Sequence, residues 1–271
     1  MAGLSQTYDV VVVGAGNAAL CAALSAREEG ARVLVLERAP ADKRGGNSYF
    51  TGGLMRFPYH GVDDLRALIP DLTEAELATI EVGQYTEDDF FEDIARVTEY
   101  RADPDLASVL VDQAYPTVRW LQSQGVRFAL AYGRQAFRVE GRFRFWGNAP
   151  TEVVGGGAGL VDSLFAAAQR AGIDIWYQAR ASRLITDERG GVRGVEVVRD
   201  GERLAVGAGG VVLACGGFEA NPEMRARYLG PNWDLAKVRG TEFNTGDGIR
   251  MALEIGAQPY GHWSGCHAVA W

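Results

Sequence analysis

The chain has 271 residues, of which 47% are hydrophobic, 23% charged and 10% aromatic, a globular composition that excludes disorder as its main description. Lys and Arg total 27 against 35 Asp and Glu, so the formal net charge is −8, which argues against nucleic acid as a partner. Glycine, at 35 residues, is nearly twice its usual share of ~7% and predicts many tight turns or close backbone approach to a ligand.

In chain order, residues 8–13 form a short β-branched run, the pattern of a strand buried on both faces. Residues 18–27, dense in Ala and Leu, read as a helix, and residues 32–36 as a second strand, completing a βαβ unit. Residues 39–58 are irregular. From 62 to 124 the pattern turns helical, with Asp63, Thr73 and Thr86 as expected N-caps and a capping box at Thr73-Glu74-Ala75-Glu76. Pro104 marks the first turn of a helix running to 124. Residues 127–131 read as a strand, and 135–139 with 142–146 as a hairpin turned at Glu140-Gly141. A helix over 160–170 follows a glycine cluster. Strands over 173–178, 181–186, 192–199 and 209–215 come next, then helices over 222–228 and from Gly246 to Glu254. The strands near residues 10, 34, 184 and 213 are expected to share one sheet, with the helical block as an excursion from it.

The strongest motif is Gly14-Ala15-Gly16-Asn17-Ala18-Ala19, which follows a strand and opens a helix. Gly14 permits the turn and Gly16 lets the backbone approach a pyrophosphate. Ala19 is the small residue for helix–sheet contact, and the helix N-terminus offers free N–H groups to phosphate. Glu37 ends the second strand 37 − 16 = 21 residues after Gly16, where an acid hydrogen-bonds a ribose hydroxyl and disfavours a 2′-phosphate. The bland alternative is a glycine-rich turn in an unrelated α/β protein.

Further stretches are Arg44-Gly45-Gly46-Asn47-Ser48 with Thr51-Gly52-Gly53, Arg101-Ala102-Asp103-Pro104-Asp105, Tyr132-Gly133-Arg134-Gln135-Ala136-Phe137, Ala214-Cys215-Gly216-Gly217-Phe218 and Val238-Arg239-Gly240-Thr241. Asn244-Thr245-Gly246-Asp247-Gly248 and the segment from Gly261 to His267 complete them. Together they resemble the FAD-binding domain of the fumarate reductase/succinate dehydrogenase flavoprotein family. Within it they are most similar to the FAD-dependent tricarballylate dehydrogenases. The resemblance spans essentially the whole chain. It implies an α/β, Rossmann-like domain with a central parallel sheet, flanking helices and a β-meander crossover. Its parts are a βαβ core with flavin loop over 1–61, a helical and hairpin excursion over 62–150, a return over 151–256, and the start of a substrate-capping region over 257–271.

The same resemblance implies roles. Gly14, Gly16 and Ala19 would face the pyrophosphate and Glu37 the adenosine ribose. The backbone of Arg38 and of Ala181 would approach the adenine. Gly46, Asn47 and Ser48 would lie along the pyrophosphate and ribityl chain, and Thr51, Gly52 and Gly53 beside the isoalloxazine. Asp247 would contact FAD, or else cap a helix. Gly216 and Gly217 would approach the cofactor, or simply end a strand. The loop 44–53 lacks the His that attaches flavin covalently in some relatives, so FAD is expected to be noncovalent. His262 and His267 would bind substrate, or pack beside Trp263 and Trp271. His60 reads as structural.

The remaining candidates have plainer readings. The acidic run 87–93 reads as a solvated helix face. Arg138, Arg142 and Arg144 would attract a polycarboxylate or simply cover an exposed strand. The cysteines Cys21, Cys215 and Cys266 are odd in number and form no CxxC, which disfavours a disulfide framework or zinc site and fits a reducing compartment. Cys215 and Cys266 read as core residues. Residues 1–7 carry no basic leader and the apolar run 10–13 is too short to cross a membrane, so a cytoplasmic protein is expected. The expected function is dehydrogenation of a small carboxylic acid such as tricarballylate by hydride transfer to FAD, with an electron acceptor of open identity. The proton-transfer residues would lie beyond Trp271, the chain reading as an N-terminal fragment. The alternatives are a catalytically incomplete flavin-binding remnant, a partner-dependent subunit, a ketosteroid-dehydrogenase-like flavoenzyme, or an NAD-linked dehydrogenase.

Overall fold

The computed structural model describes residues 6–266. The chain divides into two compact units, one from Met1–Phe50 with Leu164–Trp271 and one from Thr51–Ser163.

The first unit opens with strand β1 (Gln6–Val13), helix α1 (Asn17–Glu28) and strand β2 (Val33–Leu36). Val11 and Val12 and all of β2 are buried, as a doubly covered parallel strand requires. Helix α1 buries Ala19, Leu20, Ala23 and Leu24, one face of a 3.6-residue repeat.

The second unit holds helices α2 (Val62–Leu68), α3 (Glu74–Thr79), α4 (Glu87–Val97) and α5 (Pro104–Ser123). Thr73 and Thr86 each cap a helix through a complete capping box, and Asp103 caps α5 with Pro104 in its first turn. Asp63 does not cap α2: Gly61 holds that position, and Asp63 sits inside the first turn, where its charge favours the positive helix end. Strand β3 (Phe128–Leu130), the short helix α6 (Tyr132–Gln135), the hairpin β4 (Ala136–Val139) and β5 (Arg142–Phe145), and strand β6 (Thr151–Val153) follow. The hairpin turns at Glu140 and Gly141 with φ of 51° and 84°, the pair of positive angles a two-residue turn needs. Around Phe57, Tyr59, Tyr85 and Phe90 the unit builds a buried aromatic core.

Helix α7 (Gly156–Arg170) carries the boundary between the units. The first unit then resumes with strands β7 (Asp174–Trp176), β8 (Arg180–Thr186), β9 (Val192–Arg199) and β10 (Glu202–Leu213), and helices α8 (Pro222–Leu229) and α9 (Asp247–Glu254). One six-stranded sheet results, in the order β7-β2-β1-β10-β9-β8. The four strands near residues 10, 34, 184 and 213 do share it. Strands β7, β2, β1 and β10 run parallel, whereas β10, β9 and β8 form an antiparallel meander.

Strand β10 corrects the expected strand at 209–215. It begins seven residues earlier and ends at Leu213. Its first half pairs antiparallel with β9 and its second half parallel with β1. Gly209, which looks like a breaker, is a site of close approach: a β-carbon there would lie 2.9 Å from the Asp9 carbonyl oxygen.

Candidate functional site

Strands β1, β2 and β10 all finish at one edge, with Val13 opposite both Leu36 and Leu213. From β1 the chain continues to β2 on one side, while β10 pairs on the other. This is the switch point at which open α/β sheets leave a crevice. A cavity of about 400 Å³ lies there, walled in part by Val13, Leu36, Leu213 and Met251.

The turn after β1 enters this cavity. Gly14 has φ of +106°, and a β-carbon there would lie 2.5 Å from the Ala214 carbonyl oxygen, so the turn tolerates no side chain. Gly16 occupies the N-cap position of α1 and supplies no side-chain cap. The first amide of the helix, Asn17 N, donates to Ser48 Oγ at 2.9 Å. Gly46, Asn47 and Ser48 line the cavity, and Asn47 Oδ1 accepts from Thr241 N at 2.9 Å, tying two loops together.

Glu37 sits at the end of β2, buried and lining the cavity. Burial pushes its carboxyl above the ordinary value. The backbone N–H groups of Ala39, Gly45, Arg38 and Ala15 partly oppose that by donating to it, Ala39 N at 2.8 Å.

Asp247 lines the same cavity. It is the first residue of α9, not its cap, which is Gly246 with φ of +80°. Its carboxylate receives two hydrogen bonds from Arg180, both at 3.1 Å, and one from Arg38 Nη1 at 3.0 Å, with Arg250 3.8 Å away. Burial pushes the Asp247 carboxyl up. The bonds from Arg180 and the charges of Arg180, Arg38 and Arg250 outweigh it and hold the group below the usual carboxylate range. Arg38 also donates to Thr245 Oγ1 at 2.5 Å, so its side chain, and not only its backbone, belongs to the site.

Of the residues singled out in the sequence, the cavity gathers Gly14, Gly16, Glu37, Arg38, Gly46, Asn47, Ser48, Ala181, Gly216 and Asp247. Ala19 is fully buried between helix and sheet and does not line it. Gly217 does not line the cavity; its carbonyl accepts from Gly246 N at 3.0 Å. Thr51, Gly52 and Gly53 belong to the second unit. His262 is exposed, with its Nε2 3.0 Å from Ser264 Oγ, and so is not packed in a core. His267 lies outside the described residues.

The core reading of Cys266 needs correction, since Cys266 is exposed; Cys215 is half-buried, packs against the hydrophobic core of the sheet and also lines the cavity. Burial raises the Cys215 thiol, which keeps it a poor nucleophile. Arg180, Thr241, Phe243 and Asn244 were not anticipated as cavity residues. Thr241 and Asn244 lie in stretches that carry the family resemblance, and the proximity of Arg180 to Ala181 signalled that residue.

A sequence profile of the family described as "FAD binding domain" matches residues 9–265. A probable fumarate reductase of Shewanella frigidimarina is 32% identical over 265 residues, covering 94% of this chain and 40% of that protein. A 4-oxocyclohexanecarboxylate 2-dehydrogenase of Sinomonas cyclohexanicum is 33% identical over 302 residues, covering 94% and 51%. Among solved structures, the open conformation of a flavocytochrome c3 fumarate reductase superposes with a TM-score of 0.73 at 30% identity, covering 95% of this chain and 42% of that one. The chain therefore spans about half, or less, of these proteins.

Proposed function

The chain belongs to the FAD binding domain family, and from that premise we propose that it is the cofactor-holding part of an oxidoreductase acting on a small carboxylate. FAD is its cofactor. The observation that carries the reading is the cavity at the shared ends of β1, β2 and β10, with a side-chain-free turn, a helix N-terminus and a buried carboxylate around it.

The donor set fits a dinucleotide. The bare turn at Gly14 and Gly16 and the first amides of α1 would receive the pyrophosphate. Glu37, already fixed by backbone N–H groups, would accept from the ribose hydroxyls. Asn47 and Ser48 offer polar contacts beside them. Asp247 orients Arg38 and Arg180 at the cavity wall and keeps both guanidinium groups from facing one another unpaired. Thr51, Gly52 and Gly53 would border the isoalloxazine, and His262 and His267 would meet substrate. The absence of His from loop 44–53 supports a noncovalent complex.

When bound, FAD supplies hydride chemistry at a substrate carbon beside a carboxylate. Two of the relatives carry carboxylates in their names, one read as a reduction and the other as a dehydrogenation. Tricarballylate remains the specific substrate favoured by the stretches around Arg44, Tyr132 and His262.

The test is reconstitution of the purified chain with FAD, followed by anoxic addition of candidate acids. Stoichiometric uptake of FAD, indifferent to NADH, and bleaching by tricarballylate or a related acid are expected. Failure to retain FAD would sink the cofactor assignment. Retention without bleaching by any acid would favour the incomplete or partner-dependent alternative.

A further inference from the structure

The second unit carries several arginines that could supply positive charge for a carboxylate. Three of them are engaged internally. The guanidinium of Arg138 lies 4.6 Å from the Phe143 ring centroid, Arg142 donates to the Ile80 carbonyl at 2.6 Å, and Arg144 pairs with Glu81 at 2.9 Å. Arg134, on α6 just before the hairpin, stands differently. It forms a loose ion pair with Glu152, Nε to Oε2 3.6 Å, longer than a hydrogen bond, and its side chain stays 60% exposed.

The position of Arg134 is nevertheless defined. It lies against Gly52, where a β-carbon would come within 3.1 Å of its Nη1 and 3.5 Å of its Cζ. The backbone beneath it is pinned on both sides. Gly157 N donates to the Thr51 carbonyl at 3.0 Å, Val153 N donates to the Gly53 carbonyl at 2.9 Å, and Gly53 N donates to Thr51 Oγ1 at 3.2 Å. Gly53 has φ of +77° and abuts Gly156, so this segment has little freedom to move. The result is an accessible planar guanidinium resting on a fixed strip of backbone. That group presents a fork of donors matched to a carboxylate. In a chain of net charge −8, such a local cation is what an anionic substrate needs in order to dwell there.

We propose that Arg134 recognises the substrate's carboxylate beside the Thr51–Gly53 segment, and that glycine at residue 52 lets the guanidinium rest closer to the backbone than a β-carbon would allow. This rests on the carboxylate-oxidoreductase reading above. It assigns specificity to a position that the charge pattern of the hairpin alone does not indicate.

The experiment titrates the FAD-loaded chain with succinate and with its neutral diamide, succinamide, following the visible flavin spectrum. Wild type, Arg134→Gln, Arg134→Lys and Gly52→Ala are compared. Wild type is expected to prefer succinate. In Arg134→Gln the preference should fall by about 10–100-fold, the range for a lost charged hydrogen bond. Arg134→Lys should restore part of it. Gly52→Ala, which keeps the charge but moves it, should also reduce it when the response is normalised to bound FAD, while the Arg134 variants keep the wild-type FAD content. A preference unaltered in Arg134→Gln, or equal weakening of both ligands, overturns the assignment. A wild-type protein that holds FAD but does not respond to succinate removes the carboxylate reading, and this inference with it.

Discussion

Glu37 combines two demands that pull its carboxyl in opposite directions. Burial favours the protonated form, while four backbone N–H groups favour the carboxylate, and burial wins. The folded chain therefore holds this proton more tightly than the unfolded chain. Glu37's contribution to stability grows as pH falls from above its raised value toward 4.5. In cofactor-free protein, wild type should gain thermal stability relative to Glu37→Gln over that interval. The same substitution should weaken FAD binding by about 10-fold, since a carboxyl that accepts from the ribose hydroxyls is replaced by an amide that presents an N–H to them; titration calorimetry measures it. Asp247 has the other sign: its lowered value means its contribution is present above 3.8 and is lost as pH falls through the folded value. Glu37 was legible from the sequence because its distance from Gly16 is set by one βαβ unit. Arg180 was not, because nothing local announces that strand β8 starts beside Asp247, 67 residues further on.

At the scale of elements, the strands with β-branched runs and the helices with side-chain caps were readable, because each signal is contained in a few residues. Thr86 illustrates this: its hydroxyl accepts from Asp89 N, and Asp89 reaches back to Thr86 N. Thr86→Ala should cost about 1 kcal/mol in urea denaturation and leave FAD affinity unchanged. Gly14→Ala is expected to be costlier, about 2–4 kcal/mol by the same measurement, since it adds backbone strain to a clash with the Ala214 carbonyl. The short strand β6, helix α6 and the first half of β10 were not legible. Three or four residues carry too little periodicity. In β10 the glycines mask a strand, and the reason Gly209 lacks a side chain lies on its neighbour β1, far away in sequence.

At the scale of the whole molecule, a chain of net charge −8 must admit a cofactor that is itself anionic. The positive contributions around the cavity, from Arg38, Arg180 and the start of α1, act at short range. The long-range field is repulsive. Association of FAD with cofactor-free protein should therefore speed up as salt is raised from about 10 mM to about 150 mM, which shortens the screening length from about 30 Å to about 8 Å. Stopped-flow fluorescence would show it, and slowing with salt would mean that the local arginines dominate the approach. The hybrid pairing of β10 has a consequence in time as well. Its antiparallel half joins β9 across a turn at Asp200 and Gly201, an arrangement that can form within microseconds. Its parallel half must find β1, where Gln6 meets Val206, 200 residues away. Contacts that distant close late. The wall of the cavity is therefore built from segments that lie 200 residues apart in sequence. Cofactor capture must wait for synthesis to pass β10, so until then the glycine turn after β1 stands exposed and unliganded.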